Sequence, residues 1–309
     1  YLCFNRVLAD HMGRLVPASV AAETFHELAV GLARRGGLPV DFARPGVFDE
    51  VARWALASLA ERAPDLDLLV IDEVQDFQPD WIEGVLCRLR GDARALLLED
   101  PAQQLYEDRV PFELEGAVTV RCMDNFRSPR RVVEMINLLG LSDTPVEARS
   151  AWMGEVPEPI VVGGLTVEDG SAAPEAQGQR AWHDATVKAV RRCLDAGHAL
   201  DDIVVLSLRG RGSSWLLRQD RLGPWTVQRF TGEHDAGGAP VWTRGELMVE
   251  SVRRFKGQAA PVVVLTECDF DAMTPMTRRL LFVGLTRARV RVEWVVSERG
   301  AGVLAAALG

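Results

Sequence analysis

The chain has 309 residues, 48% of them apolar and 26% charged, with a formal charge of −9 at pH 7. That balance excludes a basic protein that coats nucleic acid passively. No apolar run reaches the roughly 18 residues a membrane helix needs, and no signal peptide is visible. A nucleic-acid partner would have to be met through a local arginine patch, because salt screens the remaining charge.

In chain order, Tyr1-Leu2-Cys3-Phe4 reads as a buried strand. A chain that opens inside a strand without Met reads as truncated at its start. Thr24-Phe25-His26 follows at a strand–helix junction, and residues 30–66 have room for a minimal pair of accessory helices. Leu68-Leu69-Val70-Ile71 and Ala95-Leu96-Leu97-Leu98 are short apolar runs bounded by polar residues, as buried parallel strands are. Helical periodicity covers residues 81–89 between them.

A composition shift at 111–124 marks a domain boundary, giving units over 1–122 and 123–309. In the second unit, helices are predicted over 130–139 and 182–196. Buried strands are predicted at Ile203-Val204-Val205-Leu206 and Val262-Val263-Val264-Leu265. Residues 163–178 and 231–240 read as surface loops. Strand and helix alternate throughout, which predicts an α/β class with mainly parallel sheets. Cys3, Cys87, Cys122, Cys193 and Cys268 show no C-x-x-C spacing, so buried free thiols in a reducing cytoplasm are expected, not a metal site or disulfides.

The chemistry is concentrated at strand ends, where open α/β sheets bind ligands. Asp72-Glu73-Val74-Gln75-Asp76 follows an apolar strand. A carboxylate such as Asp72 suits Mg²⁺, a hard cation, and Glu73 is placed to orient and deprotonate an attacking water. Asp100-Pro101-Ala102-Gln103-Gln104-Leu105-Tyr106 follows the next strand. The Gln103 amide can both donate to a phosphate oxygen and accept from water, and Tyr106 can stack on a base. Asn125-Phe126-Arg127-Ser128-Pro129 opens a helix, with Ser128 expected to cap it. Arg254-Phe255-Lys256-Gly257-Gln258 and Thr286-Arg287-Ala288 complete the series. Arginine fits phosphate because its planar fork binds bidentately and stays charged.

In this order the motifs resemble those of the UvrD/Rep/PcrA-like superfamily 1A DNA helicases. The resemblance implies two RecA-like lobes, the first truncated at its N-terminus, with ATP and Mg²⁺ held in the cleft between them. It implies Glu73, Gln103, Arg127 and Arg287 as catalytic residues, Arg287 being an arginine finger. It implies Asp72, Gln103, Arg127, Gly257 and Arg287 around ATP, and Asp72 and Glu73 around the metal. Leu2-Cys3-Phe4-Asn5-Arg6 and Thr24-Phe25-His26 resemble the family's single-strand-contacting motifs. Asn5, Thr24, Phe25, His26, Tyr106, Ser251, Arg253 and Lys256 are therefore expected at the DNA. The implied partners are single-stranded DNA or single/double-strand junctions, together with additional domains or protein partners on the parent chain; no membrane is implied, and the implied location is cytoplasmic.

The sequence departs from that family in several places. Its only lysines, Lys188 and Lys256, do not sit in a phosphate-cradling G-x-x-x-x-G-K-[ST] loop. Ala259 stands where relatives carry a ribose-contacting Glu, Glu99 where many carry Gly, and Ser251 and Arg253 where Thr and His are usual. The chain by itself is expected to hydrolyse little ATP. Two readings follow: a module of an ATP-driven helicase or translocase in DNA repair or processing, or a non-hydrolytic single-strand-binding or regulatory module.

Overall fold

The computed structural model describes residues 1–106, 109–165, 175–235 and 237–308. Two compact units emerge: Tyr1–Thr119 with Gly232–Val241, and Val120–Thr231 with Trp242–Gly309.

The first unit is built on strands β1 (Leu2–Cys3), β2 (Glu23–Thr24), β3 (Leu66–Asp72) and β4 (Leu89–Leu98). They pair in the order β2-β1-β3-β4, and every pairing is parallel. The helices are α1 (Arg6–Leu15), α2 (Phe25–Arg35), α3 (Val47–Ala60) and α4 (Pro79–Leu86). Helix α2 starts in a capping box in which the Thr24 hydroxyl accepts from the Glu27 amide while the Glu27 carboxylate accepts from the Thr24 amide. Arg34 and Arg35 end it, complementing the helix dipole. Helix α3 buries Val47, Val51, Ala55 and Leu59, one residue per turn along a single stripe. Those side chains pack with Phe25, Leu32, Leu69, Ile71, Phe77 and Ile82 into the core of this unit. Helix α4 begins at Pro79, where the missing N–H costs nothing, and ends before residue 89, where β4 begins, so it is shorter than the predicted 81–89.

The second face of this sheet departs from the expected burial. Leu68, Leu96 and Leu98 are 50%, 48% and 45% exposed. Side chains alternate along a strand, and the register Val70↔Leu96, Asp72↔Leu98 puts these leucines on the face opposite the helical core. The run 95–98 is therefore a half-buried strand at the sheet edge.

The second unit contains the short pair β5 (Asp124–Asn125) and β6 (Glu147–Ala148), helix α5 (Arg130–Leu138), β7 (Pro159–Val162) and α6 (Glu175–Asp195). These are followed by β8 (Ile203–Ser207), β9 (Arg221–Leu222), β10 (Trp225–Gln228), β11 (Phe230–His234) and β12 (Pro240–Trp242), whose residues 232–241 belong to the first unit, and β13 (Leu247–Ser251). The chain closes with α7 (Val252–Phe255), β14 (Ala260–Cys268), α8 (Pro275–Leu285), β15 (Ala288–Ser297) and α9 (Glu298–Leu308). Seven strands pair in the order β7-β15-β14-β8-β13-β10-β9. All are parallel except the β9–β10 hairpin. Strand β8 is buried along its whole length and β14 nearly so, the signature of central parallel strands covered on both faces.

Three expectations change here. Helix α6 begins at Glu175, so the predicted loop 163–178 is helical at its end, and its residues 166–174 lie outside the described residues. The predicted loop 231–240 is mostly a β-hairpin, β11–β12; its turn is drawn tight by Asp235, whose carboxylate accepts from the Gly237 and Ala239 amides. Of the five free cysteines, Cys87 and Cys122 are exposed, because neither lies on a core-facing position of a helix or sheet. The α/β class with mainly parallel sheets holds for both units. No helix among the described residues is long and apolar enough to cross a membrane.

Candidate nucleotide and nucleic-acid site

At the carboxyl ends of β3 and β4 the two acidic segments form one hydrogen-bonded network. Asp72 Oδ1 accepts from the Glu73 amide (2.9 Å) and Asp72 Oδ2 from the Tyr1 hydroxyl (2.6 Å). Gln75 donates from Nε2 to Glu73 Oε2 (2.6 Å), and its Oε1 accepts from the Asp100 amide (3.1 Å). Gln103 in turn donates to Asp100 Oδ2 (2.6 Å). Parallel pairing makes this possible, since Asp72↔Leu98 register brings both strand ends to the same edge. Glu73 sits at φ 58°, ψ 44°, a left-handed conformation unusual for a residue with a side chain. Strain of this kind persists only where surrounding contacts over-determine it, and it concentrates at functional sites. Burial and the Asp72 contact push the Tyr1 phenol well above its ordinary range, so it stays a hydrogen-bond donor to that carboxylate.

This donor set fits Mg²⁺. Among the described residues no group of three or more His, Cys, Asp or Glu is arranged as a metal site. Mg²⁺ takes one or two protein carboxylates and completes its shell with water and phosphate, which Asp72 and Glu73 match.

The expected DNA-facing residues of the first unit divide into two groups. Asn5 caps α1, its Oδ1 accepting from the Val7 and Leu8 amides, and stays partly exposed. His26 and Tyr106 are also partly exposed and gather around Phe4, at 6.0 and 5.5 Å between ring centroids. Thr24 and Phe25 are corrected. The Thr24 hydroxyl is buried in the α2 capping box. The Phe25 ring is 0% exposed and stacked on Trp81 at 4.5 Å, so neither side chain can meet a ligand. Burial, reinforced by the Arg109 charge, pulls the His26 imidazole down from 6.5 to about 4, against a weaker opposing effect of Asp49.

Arg109 is a site residue the motif spacing did not single out. Its Nε donates to the Asp76 carbonyl (2.9 Å), and its guanidinium lies 5.6 Å from the Trp81 ring and 5.7 Å from the Tyr106 ring. It ties the acidic segment to the aromatic group, and only the three-dimensional proximity reveals it.

In the second unit, Asn125 Oδ1 accepts from the Arg127 and Ser128 amides (3.0 and 2.8 Å), leaving the Arg127 side chain exposed. The expected Ser128 cap is absent from α5. Ser128 is buried, and the Arg130 and Arg131 amides donate instead to the Trp152 and Met153 carbonyls, both 3.0 Å. Ser251 is buried as the N-cap of α7, and Lys256 is 4% exposed, so both are turned into the unit; Arg253 is partly exposed. Gly257 takes φ +80°, which a side chain would strain. Arg287 is 2% exposed. It donates from Nε to the Val283 carbonyl (3.0 Å), from Nη1 to the Gln258 carbonyl (3.2 Å) and from Nη2 to Thr286 Oγ1 (2.9 Å). The last two motifs are thereby knitted together at one place, through Gln258 and Arg287.

Comparison with known proteins locates a family signature in this second unit. Residues 246–295 match the UvrD-like helicase C-terminal domain. The match runs from just before β13 to within β15 and includes Ser251, Arg253, Lys256, Gly257 and Arg287. No curated protein matches the chain. Among solved structures, the C-terminal domain of a possible DNA helicase from Lactobacillus plantarum WCFS1 is similar at 15% identity and a TM-score of 0.37, covering 59% of this chain and 96% of that one. The resemblance to UvrD-like helicases is borne out by the match over 246–295.

Proposed function

We propose that this chain is a UvrD-like helicase or translocase module that couples ATP hydrolysis to movement along single-stranded DNA in DNA repair or processing. Residues 1–122 form a first RecA-like lobe and 123–309 a second. The network joining Asp72, Glu73, Gln75, Asp100 and Gln103 carries the reading. A merely solvated acidic turn has no reason to lock two strand ends together through both faces of a glutamine amide, or to hold a glutamate in the left-handed region.

Phosphoryl transfer is chiefly positioning and charge stabilisation. Asp72, with Glu73 beside it, would hold Mg²⁺, which would supply positive charge against the phosphates of the nucleotide. Glu73, fixed by Gln75, orients the attacking water and takes its proton. Gln103 senses the γ-phosphate through its amide. Arg127 and Arg287 stabilise the negative charge that builds on the transferred group, and Gly257 lets backbone approach the nucleotide. For Arg287 to act as a finger it has to exchange its present carbonyl partners for phosphate, which makes its engagement conditional on rearrangement of the 258–287 contact. Asn5, His26, Tyr106 and Arg253 face the DNA strand. Lys256 and Ser251 contribute by holding the α7 turn.

A non-hydrolytic single-strand-binding module is favoured by one observation. Neither lysine can supply the phosphate cradle, because Lys188 lies on α6 of the second unit and Lys256 is buried there. Hydrolysis measured with and without single-stranded DNA, on this chain beside a longer form carrying a phosphate-binding loop, separates the two. DNA-stimulated turnover confined to the longer form and abolished by Glu73→Gln establishes the motor. DNA binding with no turnover in either form establishes the binding module.

A further inference from the structure

We propose that a cleft between α3 and α4 in the first unit is a docking site for a peptide segment of a partner protein, one that carries a basic residue beside an apolar one.

The cleft is a cavity of about 440 Å³ with walls from the first half of α3 and the start of α4. A volume of that order accommodates a small ligand or a few side chains. Trp81 forms part of the wall and is 7% exposed. Its ring is fixed, stacked on Phe25 at 4.5 Å and met edge-on by His26 at 5.1 Å and Phe77 at 6.3 Å. Among the described residues its indole N–H nevertheless has no acceptor, and the nitrogen is not sealed from solvent. A buried indole N–H ordinarily finds a partner. Gln78 lines the same cavity as the N-cap of α4, yet its side chain makes no capping bond and no other hydrogen bond among the described residues. A fixed donor beside an amide that both donates and accepts matches the peptide group, which offers one carbonyl and one N–H. Leu56, partly exposed on the α3 side, supplies apolar surface for a neighbouring side chain.

Charge selects among peptides. Asp49 and Asp80 stand exposed at the cavity, and among the described residues neither carboxylate joins an ion pair. Arg53 commits its Nε to the Asp49 carbonyl at 3.4 Å and keeps its other N–H groups for a second peptide carbonyl. Two carboxylates against one guanidinium leave the rim acidic, so a lysine or arginine is attracted and a glutamate repelled. The same rim repels phosphates, which sets the cleft apart from a nucleic-acid path. Among the described residues no cluster suits a metal ion, so the cation that fits is an organic one.

The test reads the Trp81 indole N–H directly in a nitrogen–proton correlation spectrum of the wild-type protein, its signal assigned by its loss in Trp81→Phe. The probe is acetyl-Leu-Lys-Leu-amide. It should shift the Trp81 signal saturably with a Kd of about 1 mM or tighter, and acetyl-Leu-Glu-Leu-amide should leave that signal in place. Replacing both exposed carboxylates, Asp49→Asn with Asp80→Asn, should weaken the lysine peptide about tenfold. A Trp81 signal unmoved by the lysine peptide, or moved equally by the glutamate peptide, would overturn the proposal. A shift with (dT)12 and none with the lysine peptide would assign the cleft to DNA and overturn it as well.

Discussion

Acidification from pH 7.5 to 5 is expected to destabilise the first unit through His26. Its imidazole titrates at about 4 in the folded protein against 6.5 for an ordinary histidine, because it is packed edge-on among Phe4, Phe25, Phe48 and Trp81 and lies near the Arg109 charge. The folded value lies below the unfolded one, so the unfolded chain takes up a proton first as pH falls. The neutral ring's contribution is complete above pH 6.5 and is lost as the pH drops towards 4. At 1.36 kcal/mol per pH unit, the loss is about 2 kcal/mol at pH 5 and about 3 kcal/mol at pH 4. Urea unfolding followed by tryptophan fluorescence, run at pH 7.5, 6.5, 5.5 and 5 on wild type and His26→Phe, isolates this group, because every other titration cancels in the difference. The phenyl ring keeps the aromatic contacts and cannot charge. Wild type should lose about 2 kcal/mol relative to the variant between pH 7.5 and 5. A difference that stays flat, or that grows in favour of wild type on acidification, refutes the claim that burial holds His26 neutral.

Other expectations follow from single contacts. Burial pushes the Cys3 and Cys193 thiols up to about 12 and raises Cys268 as well, whereas Cys87 and Cys122 are exposed. Native protein at pH 8 should release two fast equivalents of thiol to Ellman's reagent and the remaining three only on unfolding; a third fast equivalent contradicts the burial. A Cβ at Gly245 would lie 2.2 Å from the Val227 carbonyl carbon and 2.3 Å from the Gln228 nitrogen, backbone that cannot yield without breaking the β10–β13 pairing. Gly245→Ala should cost at least about 2 kcal/mol of second-unit stability in a thermal or urea melt; a neutral effect would refute the close approach of Gly245 to the β10 backbone. Phe25→Ala, which empties a fully buried stacked position, should cost about 3–5 kcal/mol. Phe25→Leu should fold and bind (dT)12 as wild type does, and a selective loss of DNA affinity in that variant would restore Phe25 to the binding surface.

Local pattern carried much of this protein's organisation. The apolar runs 68–71, 203–206 and 262–265 are strands because a short β-rich run bounded by turn residues has few other ways to hide its backbone, and alternation with helices makes the sheets parallel. The order of Asp72-Glu73-Val74-Gln75-Asp76, Asp100–Tyr106, Asn125–Pro129, 254–258 and Thr286-Arg287-Ala288 likewise pointed to strand-end chemistry and to the UvrD-like match later found over 246–295. Contacts between residues far apart in sequence decided the remainder. Phe25 stacks on Trp81 and is fully buried, whereas His26 meets the same ring edge-on and stays partly exposed, a difference that spacing alone does not draw between adjacent aromatics at a helix start. The β11–β12 hairpin carries weak apolar alternation, so its pairing shows only when the strands are laid together. The α5 N-terminus is satisfied by carbonyls 22 residues downstream of Arg130 and Arg131 instead of by Ser128. The His26 charge state and the place of Arg109 between two motifs are properties of neighbours in space. Sequence determines the elements and their chemistry because those arise from short-range sterics and periodicity; burial and electrostatics sum over every nearby atom, and only the folded chain says which atoms are near.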